Sequence, residues 1–250
     1  MSTFNVYSRY YDLLYKDKNY KAESEYVLQS LQRFSSRPLK NLLELGCGSG
    51  SHALHFCKNG CQVTGIERSQ EMVNAALAKK IKSFKPLVGD ITDFELSRKF
   101  DAAVSLFHVV SYLTQNKDLI SCFYATQKHL KKGGLFLFDI WYSPAVYYFK
   151  PETRIKRMED DAISVTRIAE SVVHSSTNTV DVHFEVMVTE KKSGLVQTIT
   201  EKHPMRHFSL PEIEMLANYS GFELLCAEEF LTRNQACDQT WGVCVVLQKK

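Results

Sequence analysis

Residues 44–50 read Glu44-Leu45-Gly46-Cys47-Gly48-Ser49-Gly50 and close a short apolar run that begins at Asn41. Glycines at such a turn let a ligand approach the backbone closely, and the helix N-terminus that follows offers unpaired N–H groups. The dinucleotide fingerprint needs glycines at its first, third and sixth positions, but the sixth position counted from Gly46 is Ser51. The stretch therefore predicts a strand–turn–helix ligand site that does not follow the dinucleotide-binding pattern.

The surrounding chain repeats this alternation of short apolar runs and amphipathic helices. Strand-like runs recur at residues 62–67, 86–88, 102–107 and 135–140, and helix-like segments separate them. This rhythm is typical of βαβ units with a parallel sheet covered on both faces. We therefore predict a doubly wound α/β fold with a mostly parallel seven-stranded sheet.

Both flanks of this core have a different pattern. Residues 4–34 carry apolar and aromatic side chains at helical spacing, and residues 163–207 hold three long Val- and Thr-rich alternating runs. We predict an N-terminal helical lid (1–36), the ligand-binding core (37–149), an antiparallel β insertion (150–207) and a closing unit (208–250). The closing unit holds the final helix and a strand pair. The insertion would lie on the acceptor side or form a dimer interface.

Composition excludes several classes of protein. The net charge is only +3 and the lysines are dispersed, so we expect no nucleic-acid partner. No apolar run reaches the length of a membrane span, and the first 20 residues lack a signal peptide. Seven irregularly spaced cysteines fit a reducing compartment. We expect a cytoplasmic protein with no membrane partner and a small-molecule substrate.

Two acidic residues extend the glycine turn into a ligand site. Glu67 ends the second apolar run, where a carboxylate can accept hydrogen bonds from both hydroxyls of a ribose. Asp90 follows the third run, where it can accept a bond from an adenine amino group. Ligands of open α/β sheets bind in the crevice beyond the carboxyl ends of the strands. The spacing therefore favours an adenosine ligand.

The glycine turn, Glu67 and Gly89-Asp90-Ile91 together resemble the first three motifs of class I S-adenosylmethionine (SAM)-dependent methyltransferases. The resemblance covers roughly residues 40–140. It implies SAM as cofactor, with Glu44 and the Gly46–Gly50 backbone beside its methionine part, Glu67 on the ribose and Asp90 on the adenine. The expected cofactor-binding set is Tyr20, Glu44, Gly46, Cys47, Gly48, Gly50, Glu67, Arg68, Met72, Asp90, Ile91, Leu106, Phe107 and Tyr112.

The flanks resemble a narrower group, the N-methyltransferases of nucleotide-linked amino deoxysugars. The similarity lies in Tyr11-Asp12-Leu13, in the aromatic-rich loop after the fifth strand, and in the β insertion before the last helix. It implies attack by an amine, in line, on the sulfonium methyl of SAM. Alternatives are a hydroxyl or another metabolite as acceptor, or a SAM-binding module without activity.

Several aromatic and histidine side chains are candidates for the chemistry. A positioned base speeds proton removal from an amine, and Tyr11 and His108 are our catalytic candidates. The faces of Phe107 and Tyr112 suit a sulfonium cation. We assign Trp141, Tyr142 and His207 to the acceptor. We expect no metal site, because four ligands do not converge from the short helix that holds His52, His55 and Cys57.

Overall fold

The computed structural model describes residues 13–250. Six α-helices lie in this part of the chain: α1 Tyr20–Phe34, α2 Ser51–Lys58, α3 Gln70–Ala78, α4 Asn116–His129, α5 Ser143–Phe149 and α6 Leu210–Tyr219. Eleven strands accompany them: β1 Asn41–Leu45, β2 Gln62–Glu67, β3 Phe84–Val88, β4 Phe100–Ser105, β5 Leu130–Tyr142, β6 Arg154–Glu159, β7 Ile163–His174, β8 Thr179–Glu190, β9 Val196–Phe208, β10 Phe222–Glu229 and β11 Gly242–Lys249.

The central sheet has the order β3-β2-β1-β4-β5-β11-β10. Strands β1 to β5 pair in parallel, whereas β11 lies antiparallel to β5 and to β10. Strands β1 and β4 are buried almost throughout, because helices cover both faces of the sheet. The doubly wound α/β fold with seven central strands is confirmed.

Two hydrophobic clusters hold the helices on the two faces. One joins α4 and α6 to the sheet through Phe123, Phe136 and Phe222, and the other joins α1 and α2 through Leu31 and Phe56. Burying an aromatic or aliphatic side chain of this size contributes about 1.5–3 kcal/mol. The clusters therefore fix the strand ends that carry the ligand site.

The β insertion joins the core beside the end of β4. Strand β5 pairs with β4 up to Phe138, and the same edge then pairs with β9 at Trp141 and Tyr142, while β11 occupies the other edge. This joint turns the antiparallel sheet β6–β9 over the carboxyl ends of the parallel strands. One face of the insertion therefore borders the crevice.

Two elements differ from the sequence prediction. The aromatic stretch after β5 forms α5 rather than a loop, because Pro144 at its first turn is compatible with a helix start. Strand β6 was not predicted: it is an edge strand rich in charged residues and lacks an apolar alternation. Among residues 13–250, no helix is both long and apolar enough to cross a membrane.

Candidate functional site

A cavity of about 650 Å³ opens at the carboxyl ends of β1, β2 and β4. Ligand pockets for molecules of cofactor size typically measure about 300–1,000 Å³. Its wall is formed by Tyr20, Gly46, Cys47, Gly48, Ser49, Ser51, His52, Glu67, Arg68, Ser69, Glu71, Met72, Gly89, Asp90, Ile91, Thr92, Leu106, Phe107, Val109, Tyr112, Leu113, Asp118 and His203. Twelve of the fourteen predicted cofactor-binding residues lie in this wall, all except Glu44 and Gly50.

The glycine turn forms one end of the cavity. The N–H groups of Gly46 and Cys47 both donate to the carbonyl oxygen of Ile66, over 2.8 and 3.1 Å, and this fixes the turn against β2. A Cβ atom on Gly46 would lie 2.6 Å from the side chain of Val109, so only glycine fits there. The turn therefore brings backbone to the ligand space as the sequence predicts.

Gly50, unlike Gly46, has a structural role outside the cavity wall. It is absent from the cavity wall, adopts a left-handed conformation with φ +78°, and a Cβ atom there would meet the ring of Phe84 at 2.6 Å. Backbone conformation and packing at the start of α2 explain why glycine is needed at this position. The structure therefore does not place Gly50 against the ligand, contrary to the sequence expectation.

Glu67 and Asp90 lie in the wall at adjacent strand ends. Glu67 accepts hydrogen bonds from the N–H groups of Gly48, at 3.0 Å, and Ser69, at 2.9 Å, so its carboxylate is held across the turn. Asp90 accepts from the backbone and hydroxyl of Thr92, which together hold the pKa of Asp90 below its usual value. Two oriented carboxylates therefore face one cavity.

Glu44 lies beneath the turn rather than in the wall. Its side chain is buried, and its Oε2 atom has no hydrogen-bond partner among the described residues. Burial, helped by the charge of Glu67, raises the pKa of Glu44 to about 8. A buried carboxyl of this kind is held protonated until a cation or a donor comes near it.

Aromatic residues form the opposite wall. The rings of Tyr20, Phe107 and Tyr112 line it together with Leu106, and Arg68, Met72 and Ile91 also belong to the cavity wall. Lys18 Nζ lies 4.3 Å from the centroid of the Phe107 ring, so one face of that ring already contacts a cation. Lys18 also pairs with Glu23, which hydrogen-bonds His52 at 2.8 Å.

A hydrogen-bonded chain crosses from the core to the insertion at this wall. The hydroxyl of Tyr112 lies 3.1 Å from Nδ1 of His203, and Nε2 of His203 lies 2.9 Å from Glu201. Because a carboxylate only accepts, Nε2 of His203 donates to Glu201, and Nδ1 is the atom that contacts the Tyr112 hydroxyl. Burial raises the pKa of Tyr112 to about 12, which keeps that hydroxyl protonated.

His108 lies beside the cavity, between Phe107 and Trp141. Its Nδ1 atom is 2.9 Å from Asp139 Oδ2, and its backbone N–H donates to Asp139 Oδ1 at 3.0 Å. Burial alone would raise the pKa of Asp139, but these contacts with His108 hold it below its usual value. With Nδ1 lying close to a carboxylate, Nε2 of the partly exposed ring is the nitrogen available to a proton donor.

The backbone that carries His108 is strained. Phe107 and His108 are consecutive non-glycine residues with φ of +65° and +60°. A left-handed conformation at such a residue costs about 1–3 kcal/mol and is frequent at functional sites. The bond from His108 N–H to Asp139 helps to hold this turn, which also directs the imidazole toward Trp141, with ring centroids 5.9 Å apart.

The other predicted acceptor residues lie elsewhere. Tyr142 is partly buried against the hydrophobic core between the sheet and α4 and α6, and His207 is fully buried. His207 Nδ1 hydrogen-bonds Ser143 at 2.8 Å, and burial lowers the pKa of His207 to about 4. Neither lines the cavity, because both belong to the joint between β5 and β9. Tyr11 lies outside the described residues.

Two members of this site, Asp139 and His203, were not among the residues assigned to it from the sequence. Asp139 is the single acidic residue in the apolar run of β5, and that exception was a readable signal. His203 sits on a strand far along the chain, and only the joint between β5 and β9 brings it to the wall. His203 lies on the same predicted strand as His207, which the sequence analysis assigned to the acceptor.

The site fits SAM by its own features. The free carboxyl of Glu44, the oriented carboxylates of Glu67 and Asp90 and the glycine backbone suit a cationic amino acid joined to an adenosine. The cavity is also large enough for such a molecule. No residue pattern in the wall disagrees with the cofactor.

Comparison with known proteins gives the same result. Residues 42–134 match the methyltransferase domain family. The chain is 29% identical to the dTDP-3-amino-3,4,6-trideoxy-alpha-D-glucopyranose N,N-dimethyltransferase of Streptomyces venezuelae, over 86% of this chain and 89% of that protein.

Solved structures share the whole fold. A SAM-dependent methyltransferase from Clostridium acetobutylicum has a TM-score of 0.82, with 21% identity and 99% of each chain covered. An amino pentose methyltransferase from Micromonospora echinaspora, solved with SAM bound, has a TM-score of 0.77, with 20% identity over 98% of this chain and 97% of that chain. Residues 42–134 thus match a methyltransferase domain, and the chain is similar over most of its length to SAM-dependent N-methyltransferases of nucleotide-linked amino sugars.

Proposed function

We propose that the protein methylates the amine of a nucleotide-linked amino sugar. Three relatives that each align over 86–88% of the chain are named as N,N-dimethyltransferases of dTDP-linked amino sugars. The observation that carries the proposal is the His108–Asp139 pair, with its 2.9 Å contact, beside the cofactor cavity. An amine acceptor needs such a proton acceptor, since only its neutral form is nucleophilic.

The cavity residues divide between binding and chemistry in this proposal. Glu44 and the glycine turn bind the methionine part of SAM, Glu67 the ribose and Asp90 the adenine. When bound, SAM supplies an activated methyl group on a cationic sulfonium. Positioning of the acceptor then contributes much of the rate, since holding two reactants together is worth about 7–11 kcal/mol of the barrier.

His108 removes the proton from the acceptor ammonium. The proton passes to Nε2 of His108, and Asp139, held ionised, stabilises the resulting imidazolium. Trp141 forms a wall of the acceptor space beside His108. Tyr11 remains a catalytic prediction for the N-terminal segment.

The outer parts of the chain shape the acceptor side. The N-terminal segment (1–36) covers the site, and the contact of Tyr15 with Phe107, at 5.0 Å between ring centroids, supports that role. The insertion (150–207) contributes His203 to the cavity wall. This contact favours a role of the insertion in acceptor binding over a role in dimer formation alone. A homodimer remains a prediction for the insertion.

A mass-spectrometric assay tests the proposal. The protein is incubated with SAM and a panel of dTDP-linked amino sugars, with the matching hydroxy sugars as controls. We expect a gain of one or two methyl masses on the amino sugars alone. Reaction with the hydroxy sugars only would contradict the amine acceptor and leave the SAM-dependent chemistry intact.

A further inference from the structure

The inner face of the insertion carries two cations among apolar side chains. Lys156 and Arg167 are direct cross-strand neighbours on β6 and β7, and Val186 of β8 continues the same row. The surrounding face is apolar: Leu13 and Leu14 pack there against Ile163, Val165, Val186 and Val188. Like charges directly opposite each other destabilise an antiparallel pair.

Arg167 is held in a defined position. Its Nη1 atom donates to the hydroxyl of Tyr15 at 2.9 Å, and its guanidinium carbon lies 4.8 Å from the Phe184 ring centroid. Lys156 donates to the backbone oxygen of Leu14, beside the same tyrosine ring. These contacts orient the two cations toward one region without neutralising them.

Neither cation has an acidic partner in the part of the chain that the structure describes. Among residues 13–250, no carboxylate oxygen lies within 4.0 Å of Lys156 or Arg167, and Nε of Arg167 is buried without a hydrogen-bond acceptor. Some other cations of the insertion have acidic partners: Lys202 pairs with Asp181 at 2.9 Å, and Arg206 pairs with Glu212. A buried donor left without an acceptor costs about 1–3 kcal/mol.

Aromatic contacts link this pair of cations to the acceptor side of the cavity. Tyr15 contacts Phe107 of the cavity wall, and Phe184 contacts His203 of the same wall at 4.9 Å between ring centroids. Phe184 also packs in the cluster that includes Trp141, the neighbour of His108. A ligand whose amine reaches His108 can thus extend over these rings toward Arg167.

We propose that Arg167 and Lys156 bind the diphosphate of the nucleotide-linked acceptor. The inference rests on the proposed function for the acceptor class, and it names the group that the insertion recognises. A diphosphate supplies the missing negative charge and acceptor oxygens, and the planar guanidinium of Arg167 matches two phosphate oxygens at once. The amino sugar beyond the diphosphate then lies between the aromatic rings and His108.

Calorimetric binding of dTDP, with the demethylated cofactor present, tests the site without any methyl transfer. We expect Arg167→Gln to weaken dTDP binding by about tenfold or more, and Lys156→Gln to weaken it less. Arg167→Lys retains the charge but loses the planar fork, so its affinity lies between wild type and Arg167→Gln. Arg157→Gln is the matched control, because Arg157 is exposed on the opposite face of the same strand.

The outcomes separate the two proposals. Cofactor binding and thermal melting of each variant show that the cavity and the fold are intact. Weak dTDP binding in Arg167→Gln supports the site even where no amino sugar of the panel is methylated. If wild type does not bind dTDP, or if Arg167→Gln binds it as wild type does, the diphosphate site is wrong; amino-sugar methylation then stands or fails on its own assay.

Discussion

At the scale of single residues, the strand-end carboxylates differ in environment. Glu67 is held in the cavity wall by two backbone N–H groups, whereas Glu44 is buried below it, and its Oε2 atom has no partner within residues 13–250. Sequence alone gives both residues as acidic side chains at strand ends. Their separate properties come from the depth of each strand end in the folded sheet.

Replacing Glu67 tests the ribose contact. We expect Glu67→Ala to weaken SAM binding by about 10- to 100-fold, because a hydrogen bond to a charged group contributes about 1.5–3 kcal/mol. Calorimetry with SAM and its demethylated product measures the change. Glu223→Ala is the control, since Glu223 is exposed on β10, and unaltered affinity in Glu67→Ala would exclude the ribose contact.

Replacing His108 tests the proton acceptor. We expect His108→Asn to lower kcat by about 100-fold or more, and Asp139→Asn to lower it by about 10- to 100-fold, with SAM affinity retained in both. Steady-state kinetics with an amino sugar that the protein methylates measures the change in kcat. His174→Asn is the matched control, because His174 pairs with Asp181 at 2.8 Å on an exposed part of the insertion. An unchanged kcat in His108→Asn would assign the proton to another group.

At the scale of elements, α1 is attached to the edge strand β10 by an ionic cluster around the buried carboxylate of Glu228. Glu228 of β10 accepts two bonds of 2.9 Å from Arg33 and one of 3.1 Å from Tyr26, and both donors lie on α1. Burial would raise the pKa of Glu228, but these donors hold it below its usual value. Only the packing of the last strands against the first helix brings these residues together.

This cluster predicts a specific loss of stability. We expect Glu228→Gln to lower the free energy of unfolding by about 1–3 kcal/mol, because it leaves the Arg33 guanidinium without its anionic partner. Thermal melting followed by circular dichroism measures the loss. Glu223→Gln on the same strand is exposed and should melt as wild type does. Equal melting of both variants would show that the cluster contributes nothing to stability.

The helices and strands also differ in how well the sequence predicts them. Helices and strands with strong periodicity, such as α4 and the apolar part of β5, were predicted within a few residues. Helix α5 and strand β6 were not, because an aromatic stretch and a charged edge strand carry no clear period. Their formation depends on the neighbouring strands that pair with them or cover them.

At the scale of the whole molecule, buried carboxyl groups give stability two opposing dependences on pH. Contacts with Lys131 and His108 hold the pKa values of Asp101 and Asp139 below their usual range despite burial, so their contribution is lost as the pH falls through those values. Burial raises the pKa of Glu44 to about 8 from 4.5. Between pH 4.5 and about 8, Glu44 keeps its proton in the folded protein and releases it in the unfolded chain, so the free energy of unfolding falls as the pH rises.

A melting series against pH checks both signs. We expect Tm without cofactor to be highest at about pH 5, to fall steeply in acid, and to fall by several degrees toward pH 8.5. Glu44→Gln should keep the acid decline and lose most of the alkaline one. An alkaline decline of equal size in Glu44→Gln would assign that decline to other groups.

The sequence by itself determined the fold and the cofactor. The glycine turn, the apolar runs and Glu67 are local patterns, and local patterns fix strand ends and backbone shape. Only the tertiary structure decided the acceptor side: which histidines lie at the cavity, which glycine is required by packing, and which cations lack an acidic partner among the described residues. Those properties depend on contacts between residues far apart in the chain, such as His203 with Tyr112 and Asp139 with His108. Such contacts exist only once β5, β9 and the turn after β4 have packed together.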